Sequence, residues 1–143
     1  MMNEILNKIN NEHINANLYS PVTLAYLGDA VYEMFVRTKL VKENNMQVNK
    51  LQKLSIKYVK ASAQAETYKK LEVYLTEEER KIAKRGKNAK VNTMAKNADP
   101  IDYMTATGFE ALIGWLYLEG RMDRLGEIID ISLTVPGQKL MTR

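Results

Sequence analysis

The sequence predicts an all-α fold of one domain, residues 1–143, and three observations carry that prediction. Apolar residues recur at helical spacing along most of the chain. Ser20-Pro21 and Asp99-Pro100 each join an N-capping side chain to a proline suited to the first helical position. No stretch alternates polar and apolar residues between hairpin turns, as a half-buried strand would. With 143 residues and a hydrophobic fraction of 45%, the chain suits one domain with a real core.

The elements follow in order. Residues 1–19 mix polar and apolar positions and lack the apolar stretch of a signal peptide. Ser20 and Pro21 open a helix that runs to about Lys42. The polar break KENNMQ separates it from a second helix, from about Val48 to Leu71. Thr76 with Glu79 three residues on is a capping box, opening a short helix to about Arg85 that Gly86 ends. The stretch RGKNAKVNTMAKN has no clean periodicity and reads as a loop from about Arg85 to Asn97. Asp99 and Pro100 open a helix that ends at Gly120, and a last helix covers about Met122 to Leu133, stopped by Pro136-Gly137.

Composition removes several chemistries. The chain has no Cys, so there is no disulfide framework, thiolate nucleophile or thiolate zinc site. A single His, His13, excludes multi-histidine metal sites within one chain and reads as a surface residue. Catalytic groups, if present, are carboxylates, amines or hydroxyls. No apolar run is long enough to cross a membrane. The lack of a signal peptide and of Cys fits the cytoplasm. A net charge of +4 favours a polyanionic partner.

Two apolar helices each carry one conspicuous acid. On a wheel of about 100° per residue, Leu24, Leu27, Gly28, Val31, Met34 and Phe35 share a broad face. Asp29 falls away from them, beside Ala25 and Glu33. The helix TATGFEALIGWLYLEG is apolar almost all round, which marks it as buried, and Glu110 is its one interior charge. Its neighbours one turn away, Ala106 and Gly114, are small and admit another backbone. A carboxylate in such a seam needs a partner to stay ionised. Spacing fits two answers: both acids share a cation such as Mg²⁺, which takes oxygen ligands, or each pairs with Lys or Arg. The Trp115 helix is more apolar than one small domain needs, which fits dimerisation.

Basic residues cluster twice. Arg80, Lys81, Lys84, Arg85, Lys87, Lys90 and Lys96 lie in one window without an acid, with Asn88, Asn92 and Asn97 between them. Such a segment can neutralise phosphates, while Asn and Arg can bond base edges or ribose hydroxyls. Lys50, Lys53, Lys57 and Lys60 form a stripe beside an apolar one of Leu51, Leu54, Tyr58, Ala61 and Ala65, the ordinary pattern of an amphipathic helix.

LAYLGDAVYE resembles the signature helix of the ribonuclease III catalytic domain, and FEALIGWLYLEG resembles its second acidic helix. SAQAE and KRGKNAK are similar to the Mini-ribonuclease III branch, the short form lacking a double-stranded-RNA-binding domain. The resemblance spans roughly Leu18 to Leu133. It implies an all-α ribonuclease III catalytic (endonuclease) domain-like bundle that is homodimeric and Mg²⁺-dependent. It also implies an endoribonuclease that cleaves double-stranded RNA to 5′-phosphate and 3′-hydroxyl ends and matures the large-subunit (23S) ribosomal RNA precursor. It leaves open a large-subunit ribosomal protein on the substrate as a further partner. Asp29 matches the family's essential aspartate and Glu110 its metal-binding glutamate, making both the catalytic and metal residues. Lys84, Arg85, Lys87, Asn88 and Lys90 match the branch's RNA-binding loop. Two further family acids are absent, with Ala25 and Thr107 in their places; Thr107 retains a hydroxyl for a metal-bound water. Two rival readings remain: a non-catalytic RNA-binding or ribosome-assembly protein on the same fold, and a helical protein-interaction module.

Overall fold

The computed structural model describes residues 4, 5, 8, 14–89 and 99–134. His13, Lys90, Asn92, Lys96 and Asn97, and the Pro136-Gly137 stop, lie outside the described residues. Among the described residues there is no strand. The helices are α1 (Pro21–Glu43), α2 (Val48–Val59), α3 (Ala61–Leu71), α4 (Glu77–Lys87), α5 (Pro100–Leu118) and α6 (Met122–Thr134). Short 3-10 turns cover Ala16–Leu18 and Glu72–Tyr74.

The starts are set locally. Ser20 Oγ accepts the Thr23 N–H at 3.1 Å, and Pro21 occupies the first turn of α1. Asp99 Oδ1 accepts from the N–H groups of Ile101 and Asp102 at 2.8 and 3.3 Å ahead of α5. The capping box forms in full: the Thr76 N–H donates to Glu79 Oε1, and the Glu79 N–H donates to Thr76 Oγ1. Gly120 has φ 78°, the left-handed region that ends α5 at little steric expense to glycine.

The organising element is α5. Helices α1, α3 and α4 pack around it, and α6 closes the remaining side. Phe109, Leu112, Ile113, Trp115 and Leu116 are therefore fully buried within this one chain. That accounts for the all-round apolar character of α5 without a second copy, so the expected link from the Trp115 helix to dimerisation is not needed. Tyr32 of α1 meets Phe109 edge-on, ring centroids 4.9 Å apart.

Three expectations are corrected. The second helix is not continuous to Leu71: Lys60 is extended at φ −66°, ψ 155°, ending α2 and preceding α3. No glycine or proline signals that break. It lets α2 pack on α1 while α3 turns onto α5, a demand of packing rather than of local propensity. Gly86 does not end its helix or make a tight turn; α4 continues through Lys87, and Gly86 is buried. Met34 is not on the buried face of α1. That face is Leu24, Ala25, Gly28, Val31, Tyr32, Val36 and Leu40, with Leu27 and Phe35 at its edge and Met34 exposed.

Candidate active site

Two pairs of glycines fix how α5 meets its neighbours. A Cβ at Gly28 would overlap the Glu110 carbonyl oxygen, and one at Gly114 would overlap the Leu24 carbonyl oxygen. Helices α1 and α5 thus cross backbone on backbone, and no side chain fits between them. The second crossing is looser. A Cβ at Gly86 would lie 2.8 Å from Gly108 Cα and 2.9 Å from Ala111 Cβ, setting α4 against α5.

The first crossing brings the two acids together. Asp29 follows Gly28 and faces solvent, while Glu110 is half-buried in the seam. Glu110 is pushed up to about 8 by burial first, then by the charge of Asp29 and by the hydrogen bond with it. Burial and the neighbouring carboxylate together favour the protonated form of Glu110 in the cation-free site. Neither acid forms an ion pair with Lys or Arg among the described residues. Of the two answers that spacing allowed, the salt bridge is absent there. A carboxyl kept protonated by burial and by a neighbouring acid is suited to exchange its proton for a cation. The described residues contain no group of three or more His, Asp or Glu that could hold a metal ion.

Glu33 is turned elsewhere, to Arg37, at 2.6 Å. Thr107 is directed along its own helix: its hydroxyl donates to the Tyr103 carbonyl at 2.9 Å. Sequence reasoning missed Gln64 of α3. Its side chain is 1% exposed, its amide lies close enough to Glu110 to favour the ionised carboxylate, and its Nε2 makes no fully formed hydrogen bond. The available signal was one long amide side chain among the small residues Ala61, Ser62, Ala63 and Ala65 at the start of α3.

The basic residues divide. Lys84, Arg85 and Lys87 belong to the last turn of α4 rather than to a loop, and Asn88 is its C-cap. Lys84, Arg85 and Asn88 are exposed; Lys87 is half-buried. Arg85 Nη2 donates to the Tyr19 carbonyl at 3.3 Å. Lys87 lays its stem over Gly108, two residues along α5 from Glu110. The cations also oppose the negative end of the α4 dipole. At the other end of α4, Glu79 is buried and bonded to Arg124 Nε and Nη2, both at 2.8 Å. Burial pushes its carboxyl up, but the Arg124 and Thr76 bonds outweigh this and hold it below its ordinary value. Arg124 also donates to the Tyr74 carbonyl at 2.8 Å. Lys50, Lys53, Lys57 and Lys60 are all exposed along α2 and into its end.

The Ribonuclease III domain model matches residues 22–121, a span that contains both acids and both glycine crossings. The chain is 50% identical to a Mini-ribonuclease 3 of a Thermoanaerobacter species, over 81% of this chain and 82% of that protein. It is 42% identical to the Mini-ribonuclease 3 of Staphylococcus aureus, over 91% and 98% of the two chains. A crystal structure of a Fusobacterium nucleatum protein matches with a TM-score of 0.74 and 34% identity, covering 81% of this chain and 93% of that one.

Proposed function

The chain belongs to the ribonuclease III family and is an endoribonuclease, and on that premise we propose that it cleaves double-stranded RNA at a divalent-cation site, Mg²⁺ in the cell, formed by Asp29 and Glu110. The observation that carries this reading is the acid pair itself. Two carboxyls on different helices touch, and among the described residues no Lys or Arg bridges either of them. The donor set suits Mg²⁺, which binds through one or two carboxylates and substrate phosphate oxygens and supplies Lewis acidity and activated water near neutral pH.

The chain's residues divide the remaining work. Asp29, the exposed acid, faces the incoming duplex. Glu110, set in the seam, would hold the cation as a carboxylate and fix its place relative to α5. Lys84, Arg85, Lys87 and Asn88 stand at the end of α4, which meets α5 close to the level of Glu110. They neutralise phosphates and bond groove groups beside the cut. Lys90 extends that set in sequence, and the α2 lysines add a second cationic surface. Thr107 contributes no ligand while its hydroxyl stays bonded to Tyr103.

Two copies would act on one duplex, one site per strand, related by two-fold symmetry. Val22 and Tyr26 support this: they are exposed on the side of α1 that carries Asp29, and Tyr26 is 83% exposed. Products carry 5′-phosphate and 3′-hydroxyl ends, and the cytoplasmic substrate is the large-subunit ribosomal RNA precursor, with a ribosomal protein on it as a further partner. The test incubates the purified protein with duplex RNA, with and without Mg²⁺, and maps the ends. Asp29→Asn should abolish cleavage while folding and RNA binding persist. Unchanged cleavage by that variant removes Asp29 from the site.

A further inference from the structure

Gln64 is the buried polar group that neither the fold nor the acid pair accounts for. It lies on α3 among small residues that let this helix approach α5, and its side chain is 1% exposed. A glutamine amide nitrogen carries two N–H donors, yet Nε2 makes no fully formed hydrogen bond. An unmet buried donor is destabilising, so an apolar side chain of the same length would serve the core better. The adjacent acceptor is the Glu110 carboxyl, whose ionised form the amide favours.

We propose that Gln64 is a positioning residue for the cation site: its amide holds the Glu110 carboxylate so that one oxygen faces Asp29 while the other accepts from Nε2. This rests on the reading of Asp29 and Glu110 as cation ligands. A carboxylate bound to a cation through one oxygen keeps a second that needs a donor, and Gln64 is the buried donor beside Glu110 whose hydrogen bond is not fully formed. Donors behind a ligand fix its orientation, and their removal weakens metal binding by roughly 10–100-fold. An amide suits this position better than an acid or a hydrocarbon. A third carboxylate would add repulsion beside two acids, and a hydrocarbon would leave Glu110 free to turn. The two carboxylates then set the site's charge at minus two, matching one divalent cation.

The test measures Mn²⁺ binding to the RNA-free protein by calorimetry and by the loss of free-ion electron-spin resonance signal. The proteins are wild type, Gln64→Met, Gln64→Leu and, as a control at a buried hydroxyl on α6, Ser132→Ala. Gln64→Met should keep or raise the melting temperature and weaken Mn²⁺ binding roughly 10-fold or more. Its KM for duplex RNA should be unchanged, and its lowered kcat should recover at high cation concentration. Ser132→Ala should leave Mn²⁺ affinity unchanged. Gln64→Leu, of different shape and equally apolar, gives the same readout if Gln64→Met fails to fold. Wild-type Mn²⁺ affinity in the folded Gln64 variants overturns the positioning role alone. Absence of Mn²⁺ binding by the wild type overturns the cation site and the role of Gln64 with it.

Discussion

Both ends of the candidate site depend on a glycine pair against α5, but the two crossings are finished differently. At the α1–α5 crossing the backbones touch, and closeness brings an unfavourable result: an acid beside an acid, with an orphaned amide behind them. At the α4–α5 crossing the approach is looser, and α4 is completed at its start by a capping box and a buried ion pair. Local rules of good structure are satisfied along α4 and broken around Gly28. Unmet polar groups and perturbed acids collect where chemistry is done, because a site whose charges were already neutralised would have no affinity left for a ligand.

The sharpest way to break the comparison is to add one methyl group to each crossing. Gly28→Ala should destabilise the protein by about 3 kcal/mol or more, since its Cβ would overlap a backbone carbonyl that cannot move aside alone. Gly86→Ala should cost less, about 1–2 kcal/mol, because its Cβ would come no closer than 2.8 Å to any neighbour, a smaller overlap than at Gly28. Chemical denaturation of both variants checks the order, and equal destabilisation would erase the distinction between the crossings.

Removing Arg124 tests the completed end of α4. Arg124→Ala leaves Glu79 buried without its cation and should destabilise by about 2–3 kcal/mol, read from denaturant midpoints. Glu79 sits below its ordinary value of 4.5, so its contribution is present above that pH and lost as pH falls through the folded value. The variant should therefore differ most from the wild type at neutral pH and converge with it in acid.

Glu110 reverses that sign. Its carboxyl is raised from 4.5 to about 8, so its contribution to the cation-free fold is full below 4.5 and lost as pH rises through about 8. Glu110→Gln should remove this decline: melting temperatures followed from about pH 5 to 9 should fall less than in the wild type. Parallel curves would mean that Glu110 does not hold the proton. Added Mg²⁺ should protect the wild type increasingly as pH rises, and the variant hardly at all.

The smallest expected effect concerns the cationic end of α4. Replacing Lys84 and Lys87 by Gln should lower the slope of log affinity for duplex RNA against log salt by about 1 for each phosphate no longer neutralised. Filter binding at several salt concentrations measures it. An unaltered slope would place the duplex elsewhere, with the α2 lysines next to be tested.

The helical class and most helix starts were legible in the chain alone, because caps are local: Ser20-Pro21, Thr76 with Glu79, and Asp99-Pro100 each act within one turn. Asp29 and Glu110 were conspicuous there too, since a charge in an apolar helix stands out from its neighbours, and the family resemblance extended them to a cation and RNA. Other features needed the tertiary structure. The break at Lys60 has no local signal and follows from α2 and α3 packing on different partners. Gly86 looked like a helix stop because glycine's freedom and glycine's smallness are indistinguishable in a string; the close approach of Gly108 shows that smallness matters here. Gln64 is an ordinary polar residue in sequence, and its burial against Glu110 exists only once α3 lies on α5. Caps and charges act through neighbours in the chain, whereas close approach, burial and an unmet hydrogen bond depend on which distant helix arrives.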